Sequence, residues 1–351
     1  MRAWEIVSDD GIDALALNER PKPKLNPGQV MIKVHASSVN YRDLSTIEDP
    51  VSRKLPFPTI PNSDAAGEVV AVGAGTVGVA VGDRVMGCFF QDWEAGPISS
   101  AAMASALGGA QPGVLAEYVV LDAGGVVVAP AHLSWQEAAT LPCAALTAWH
   151  ALTQPRPVRP GETVLLLGTG GVSVFAQQFC QLMGARTIVT SSSDSKLERM
   201  QSLGAWGAIN YRETVDWDSR VIDLTDGVGI DRVVEVGGPG TLQKSIGATR
   251  IGGIIALIGI LTGVEGVVSP TNIMRKSITV QGIFVGSRLM FIEMNKAISL
   301  HKMKPVISEQ FDFSDARAAY HRMRSAQHFG KLVIGVNRPT QPPTQATAVR
   351  H

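Results

Sequence analysis

The run Val164-Leu165-Leu166-Leu167-Gly168-Thr169-Gly170-Gly171-Val172-Ser173 constrains this chain more than any other stretch. Four consecutive apolar residues suit a strand buried on both faces, the kind a parallel sheet requires. The glycines break that strand. Beyond them Phe175, Phe179 and Leu182 recur at helical spacing until Gly184. The order is therefore strand, tight glycine turn, helix. Such a turn aims backbone N–H groups and the positive end of a helix at one spot, which suits a diphosphate. Gly168 permits the turn, and Gly170 offers no side chain to block an approaching phosphate. Ser173 stands where the dinucleotide fingerprint has Gly or Ala, and it is small enough for close helix–sheet packing. The competing reading is a turn that is only structural.

At 351 residues the chain is long for one domain, and two are expected. A formal net charge of zero gives no basic footprint for nucleic acid or an anionic membrane. No apolar run is long enough to span a bilayer. The opening Met1-Arg2-Ala3-Trp4-Glu5 does not read as a secretory signal, since an acid comes early and no apolar core follows. Cys88, Cys143 and Cys180 are too few and too scattered for a disulfide framework, which points to a reducing cytoplasm.

Residues 1–35 read as β-structure, with 30–36 partly alternating after the turn Asn26-Pro27-Gly28. The polar segment Ser37-Ser38-Val39-Asn40-Tyr41-Arg42-Asp43-Leu44 then reads as a turn, a usual place for site residues. Pro56, Pro58 and Pro61 force an extended connection. Val77, Val79 and Val81, before Gly82-Asp83-Arg84-Val85, suggest a further hairpin, and many short strands with glycine turns indicate a barrel-like β-domain. Residues 88–113 form an irregular loop that either lines a substrate site or is a surface excursion. Ser134-Trp135-Gln136-Glu137 fits a capping box opening a helix that runs on to Leu152. Strands are expected at 163–167, 186–190, 207–210, 231–236, 253–258 and 277–284, with helices such as 196–203 and 241–249 between them. That alternation is a doubly wound parallel sheet. Helices follow at 289–301 and 315–323, and 330–336 is a closing strand that returns to the first domain. From Arg338 the chain is rich in Pro, Gln and Thr, and disorder is expected.

Several segments now stand in a familiar order and spacing: Asn40-Tyr41-Arg42-Asp43, Gly67-Glu68-Val69-Val70-Ala71-Val72-Gly73, Val81-Gly82-Asp83-Arg84-Val85, Leu146-Thr147-Ala148-Trp149 and the Gly168 turn. Up to about Val336 the chain resembles the medium-chain dehydrogenases/reductases, and within them the zinc-free branch of quinone oxidoreductases and enone reductases. The resemblance implies an α/β fold. A GroES-like β-barrel catalytic domain would occupy 1–143 and 287–337, a Rossmann cofactor domain 144–286, and a disordered tail 338–351. It also implies a homodimer, because relatives pair the sheet edge that 277–284 would form.

By the same resemblance, the positions of the catalytic zinc ligands fall on Asn40, on Ser63-Asp64 and near Cys143. One thiolate cannot hold zinc, which takes about four ligands, so no metal is expected. No cysteine lies between Cys88 and Cys143, so the four-cysteine structural lobe is absent too. By its chemistry Cys143 reads as a small buried residue.

Without a metal, donors or a cation must meet the charge that builds on oxygen when hydride reaches carbon. The segment Asn40, Tyr41, Arg42, Asp43 offers them: Arg42 as oxyanion donor, Tyr41 as proton donor, Asn40 as an orienting group. The alternative is that Arg42 and Asp43 pair with each other or cap a helix and never meet substrate.

For the cofactor, the resemblance puts Gly168, Gly170, Gly171 and Val172 at the diphosphate and Thr147 against the nicotinamide. Gly237, Gly238 and Gly259 would be backbone approaches to the ribose and ring, and Phe284-Val285 the strand bordering the carboxamide. The ribose-binding acid of NAD enzymes falls on Ser192. Small hydroxyls at Ser192 and Ser193, with Lys196 and Tyr211, suit an extra phosphate, so NADPH is expected, NADH staying open. Asp194 would either cap a helix starting at Lys196 or, with one residue of slippage, put a carboxylate near the ribose. Taken together, the chain reads as a zinc-independent NADPH-dependent reductase of a small quinone or enone. A zinc-lacking ketone/alcohol dehydrogenase and a non-enzymatic dinucleotide-binding protein are the alternatives.

Overall fold

The computed structural model describes residues 1–337. The tail expected to be disordered, 338–351, lies outside the described residues. Strands β1 (Arg2–Ile6) and β2 (Leu15–Glu19) pair antiparallel at the start of the chain. The strands β3 (Gln29–Val39), β4 (Asp64–Val72), β5 (Arg84–Gly87), β6 (Tyr118–Asp122) and β7 (Val126–Val128) then build an antiparallel sheet. β3 and β4 are long, 11 and 9 residues, and β5 to β7 are short.

The second sheet contains β8 (Thr163–Leu167), β9 (Arg186–Ser191), β10 (Gly207–Asn210), β11 (Ile230–Glu235), β12 (Thr249–Leu257) and β13 (Thr279–Gly282). Its spatial order is β10-β9-β8-β11-β12-β13, every neighbour parallel. The apolar β8 is buried along its whole length because it sits inside the sheet with helices on both faces. The strand order reverses beside β8, the topological switch point where ligands of such sheets bind. The chain then returns to the first sheet as β14 (Ile307–Asp312) and β15 (Lys331–Gly335), with Leu332 of β15 opposite Val39 of β3. The result is an α/β molecule with a β-domain interrupted by a Rossmann-type sheet.

One apolar core runs from Phe89 and Phe90 through Leu141, Val164 and Phe175 to Val333, so side chains from both sheets pack together. Arg232 on β11 is fully buried. Its guanidinium donates to the carbonyls of Ala151, Gln154 and Arg156, closing the end of the helix that carries Thr147. Among the described residues no helix is long and apolar enough to cross a membrane.

Three expectations change. Val77, Val79 and Val81 form no strand. Gly75, Gly78 and Gly82 adopt φ of 76°, 81° and 94°, and β4 pairs directly with β5 instead. The strand expected at 277–284 is only Thr279–Gly282, so Phe284 and Val285 lie beyond it, Val285 with φ 53°. The segment expected as a polar turn is the start of a helix, α1 (Tyr41–Glu48), with Asn40 as its extended flanking residue.

Candidate active site

Gly168 ends β8 with φ 73°, a left-handed conformation that glycine adopts without strain. Helices α2 (Ser100–Met103), α3 (Trp135–Ala139) and α4 (Leu146–Thr153) precede this turn, and α5 (Gly171–Leu182) follows it. A side chain on Gly170 would meet nothing within 4 Å, so the space over the start of α5 is open. Val172 lies in the first turn of α5, and the buried Ser173 hydroxyl donates to the Leu167 carbonyl at 2.7 Å, fastening helix to strand. Thr147 on α4 is buried, its hydroxyl donating to the Cys143 carbonyl at 2.7 Å.

At the end of β11, Gly237 and Gly238 turn around a buried carboxylate. Glu235 accepts from the Gly237 and Gly238 N–H groups at 2.8 and 3.0 Å and from the Thr241 hydroxyl at 2.6 Å, with Ser245 donating to its other oxygen. Gly259 passes so close that an added Cβ would stand 1.9 Å from the Val236 carbonyl oxygen. Phe284 reaches across to Phe89 and Phe90, with ring centroids at 5.9 and 5.1 Å.

On the far side, Ser192 and Ser193 follow β9 and Tyr211 follows β10. Asn210 pairs with Ser191, so these residues lie side by side. The next helix, α6, is Asp194–Ser202. It begins two residues earlier than expected, so Asp194 is inside it and does not cap it; its carboxylate accepts from Asn210 Nδ2 at 2.8 Å. Lys196 Nζ donates to the Ala326 carbonyl at 2.8 Å, tying α6 to the segment before β15.

The Asn40–Asp43 segment is dense with internal bonds. Asp43 is buried and accepts from the Asn40 N–H at 2.8 Å. Burial pushes its carboxyl up to about 6, against the opposing pull of Arg42. Arg42 Nη1 donates to the Leu107 carbonyl at 2.6 Å and stands 3.5 Å from Asp43, with the guanidinium 4.7 Å above the Phe89 ring. These are the contacts of the structural alternative for Arg42. Tyr41 is exposed.

One residue at this site was named only as part of the closing strand. Lys331 opens β15, is 3% exposed, and lies against the dinucleotide turn. Gly330 donates its N–H to the Thr169 carbonyl at 3.1 Å, and a Cβ on Gly171 would stand 2.7 Å from Lys331 Cδ. The ammonium donates to the Val39 carbonyl at 2.9 Å and to Asn40 Oδ1, and is 3.9 Å from Asp64. Asp64 accepts the Ser38 and Ser63 hydroxyls at 2.9 and 3.0 Å. The Cys143 thiol is pushed up by burial and by Asp64, Lys331 partly opposing. Asn40 Nδ2 is buried with no partner.

The residues at the ligand positions are thus an amide, a hydroxyl, a carboxylate already bonded to two hydroxyls, and a thiol resistant to ionisation. An ammonium stands among them. Zinc is held by lone pairs of thiolate, imidazole and carboxylate, and this set does not fit it. Among the described residues no group of three His, Cys, Asp or Glu could hold a metal ion.

Residues 26–131 match the alcohol dehydrogenase GroES-like domain family, and 171–300 the family described as zinc-binding dehydrogenase. The chain is 41% identical to a zinc-type alcohol dehydrogenase-like protein of Schizosaccharomyces pombe, over 95% of this chain and 99% of that one. It is 30% identical to the 2-methylene-furan-3-one reductase of Solanum lycopersicum, over 95% of this chain and 79% of that one. A solved Sinorhizobium meliloti protein named as an alcohol dehydrogenase superposes with TM-score 0.89 at 39% identity, covering 95% of this chain and 98% of that one. A crotonyl-CoA carboxylase/reductase in complex with NADP superposes with TM-score 0.87 at 26% identity, covering 97% and 95%. The chain belongs to the medium-chain dehydrogenase/reductase superfamily. It is an oxidoreductase of that class.

The two glycines of the turn should separate in effect. Gly168→Ala forces a left-handed side-chain-bearing residue and is expected to cost about 1–2 kcal/mol in urea unfolding. Gly170→Ala should leave stability near wild type yet weaken dinucleotide binding in fluorescence titration. Equal stability losses, or unimpaired binding by Gly170→Ala, would contradict this placement of the diphosphate.

Proposed function

We propose that the protein is a zinc-independent, NADPH-dependent reductase that delivers hydride to an activated carbonyl compound, a quinone or an enone. The observation that carries the reading is the donor set at and beside Asn40: the Lys331 ammonium bonded to its amide oxygen, and the unpartnered Asn40 Nδ2. NADPH supplies the hydride when bound. Gly168, Gly170, Gly171 and Val172 would hold its diphosphate, and Thr147, Gly237, Gly238, Gly259, Phe284 and Val285 its nicotinamide end. Ser192, Ser193 and Tyr211 would take the extra phosphate, together with Lys196 once it leaves the Ala326 carbonyl.

As hydride adds to the substrate carbon, the π electrons move to oxygen. Asn40 Nδ2–H donates to that oxygen, and a proton from the Tyr41 hydroxyl or solvent completes the reduction. Arg42 and Asp43 hold the first turn of α1 in place. The relative named as a furanone reductase supports this reading by its substrate's conjugated C=C bond.

NADPH consumption with a panel of quinones, enones and plain ketones tests it, with product analysis. Reduction of a quinone, or of an enone to its saturated ketone, is expected, faster with NADPH than with NADH. Alcohol products alone would favour a ketone/alcohol dehydrogenase that has lost zinc, and no turnover would overturn the reading.

We also propose a homodimer joined along β13. This edge carries the partly exposed Val280, with Ile251 exposed on the adjoining β12. Light scattering at micromolar concentration should give twice the chain mass; a monomer would overturn the proposal.

A further inference from the structure

We propose that Lys331 is the positioning residue that turns Asn40 into an electrophile, so that the ammonium–amide pair does the work a metal ion does elsewhere in this fold. The inference rests on the reductase reading and adds to it how an uncharged amide can stabilise an oxyanion.

The geometry has three parts. An ammonium carries only donors, so the Asn40 atom it meets must be the carbonyl oxygen. That fixes the amide's orientation, in agreement with the capping box in which the Asn40 side chain faces the Asp43 N–H. The Nδ2 group must then face the other way, and it is buried there with no acceptor, although buried donors are nearly always satisfied. Finally, a cation on the amide oxygen draws electron density from the nitrogen and strengthens its N–H as a donor.

The position of Lys331 ties this device to the cofactor turn. Its strand is joined to Thr169 through Gly330, and its stem lies against Gly171. One side chain thus runs from the dinucleotide turn to the residue that would meet substrate oxygen. The Val39 carbonyl also accepts from the ammonium, and Asp64 lies 3.9 Å from it. A second role for the ammonium, contact with a cofactor phosphate, makes a different prediction and is separated below.

The test uses Lys331→Met, Asn40→Ala and the double variant in the full-length protein, with an acceptor that wild type reduces. Each single change should lower kcat at saturating NADPH by on the order of 10²–10³, the range for one oxyanion donor. NADPH affinity by fluorescence titration should stay within about threefold, because uniform binding is not what is lost. The double variant should be no slower than Asn40→Ala, since the two act as a unit.

An acceptor-free readout stands beside these. The Asn40 side-chain NH₂ proton signals, identified by their loss in Asn40→Ala, should move upfield in Lys331→Met. Lys331→Gln, a neutral donor, replaces the Met variant if that one does not fold, and must also lose at least about tenfold in kcat. Loss of NADPH affinity with kcat preserved at saturation would assign Lys331 to a cofactor phosphate and overturn the proposal. Multiplying losses in the double variant, or unmoved NH₂ signals, would overturn it as well. Failure of the reductase reading shows separately, as absence of wild-type turnover.

Discussion

A buried ammonium is tolerated only where acceptors meet its protons, and the arrangement around Lys331 follows from that requirement. The Val39 carbonyl, Asn40 Oδ1 and Asp64 supply those acceptors, all within or just beside β3 and β4. Because Lys331 is on β15, its placement depends on β15 pairing with β3, and that pairing returns the last described part of the chain to the first sheet. The interrupted topology is thus what brings residue 331 against residue 40. The chain just before that strand touches the glycine turn through Gly330 and Thr169, so the glycine turn and the Lys331–Asn40 pair share one support.

The charges near this point balance locally. Asp64 is ionisable and buried, but two hydroxyls and the ammonium satisfy it. Asp43 has less: its main bond is to the Asn40 N–H, and burial raises its affinity for a proton. Arg42, bonded to Leu107 and lying on Phe89, is the cation that limits that rise. Asp43 and Arg42 Nη1 thus brace the first turn of α1, while Asn40 Nδ2 stays without a partner. A similar logic holds at the end of β11, where Glu235 takes two backbone N–H groups of the Gly237-Gly238 turn and shapes it.

Much of this was legible in the sequence. The apolar run before Gly168 reads as a strand buried on both faces, which β8 is, and the α/β alternation after it gives the second sheet to within a few residues. The ends were less legible where tertiary contacts decide. Phe284 and Val285 continue a β-like pattern, yet they lie beyond the strand, Val285 with a left-handed backbone and Phe284 beside the Phe89 and Phe90 rings. Asn40 to Asp43 looked like a turn because polar residues dominate it; a capping contact from Asp43 makes it a helix start. Lys331 carried no local signal of burial, since a lysine opening an apolar strand normally faces water. Glu235 was hidden for the same reason, at the end of a strand whose buried polar partners come from the next helix. Lys196 was read by its charge alone, and the carbonyl of Ala326 that it meets is 130 positions away in sequence.

The central claim is that an ammonium–amide pair occupies the place of a metal ion. The most direct measurement is metal content together with rate after dialysis against a strong chelator. The account predicts no stoichiometric zinc and an unchanged rate of NADPH oxidation with the acceptor that works. One tightly held zinc per chain, with a rate that falls on its removal and returns on its restoration, would contradict it.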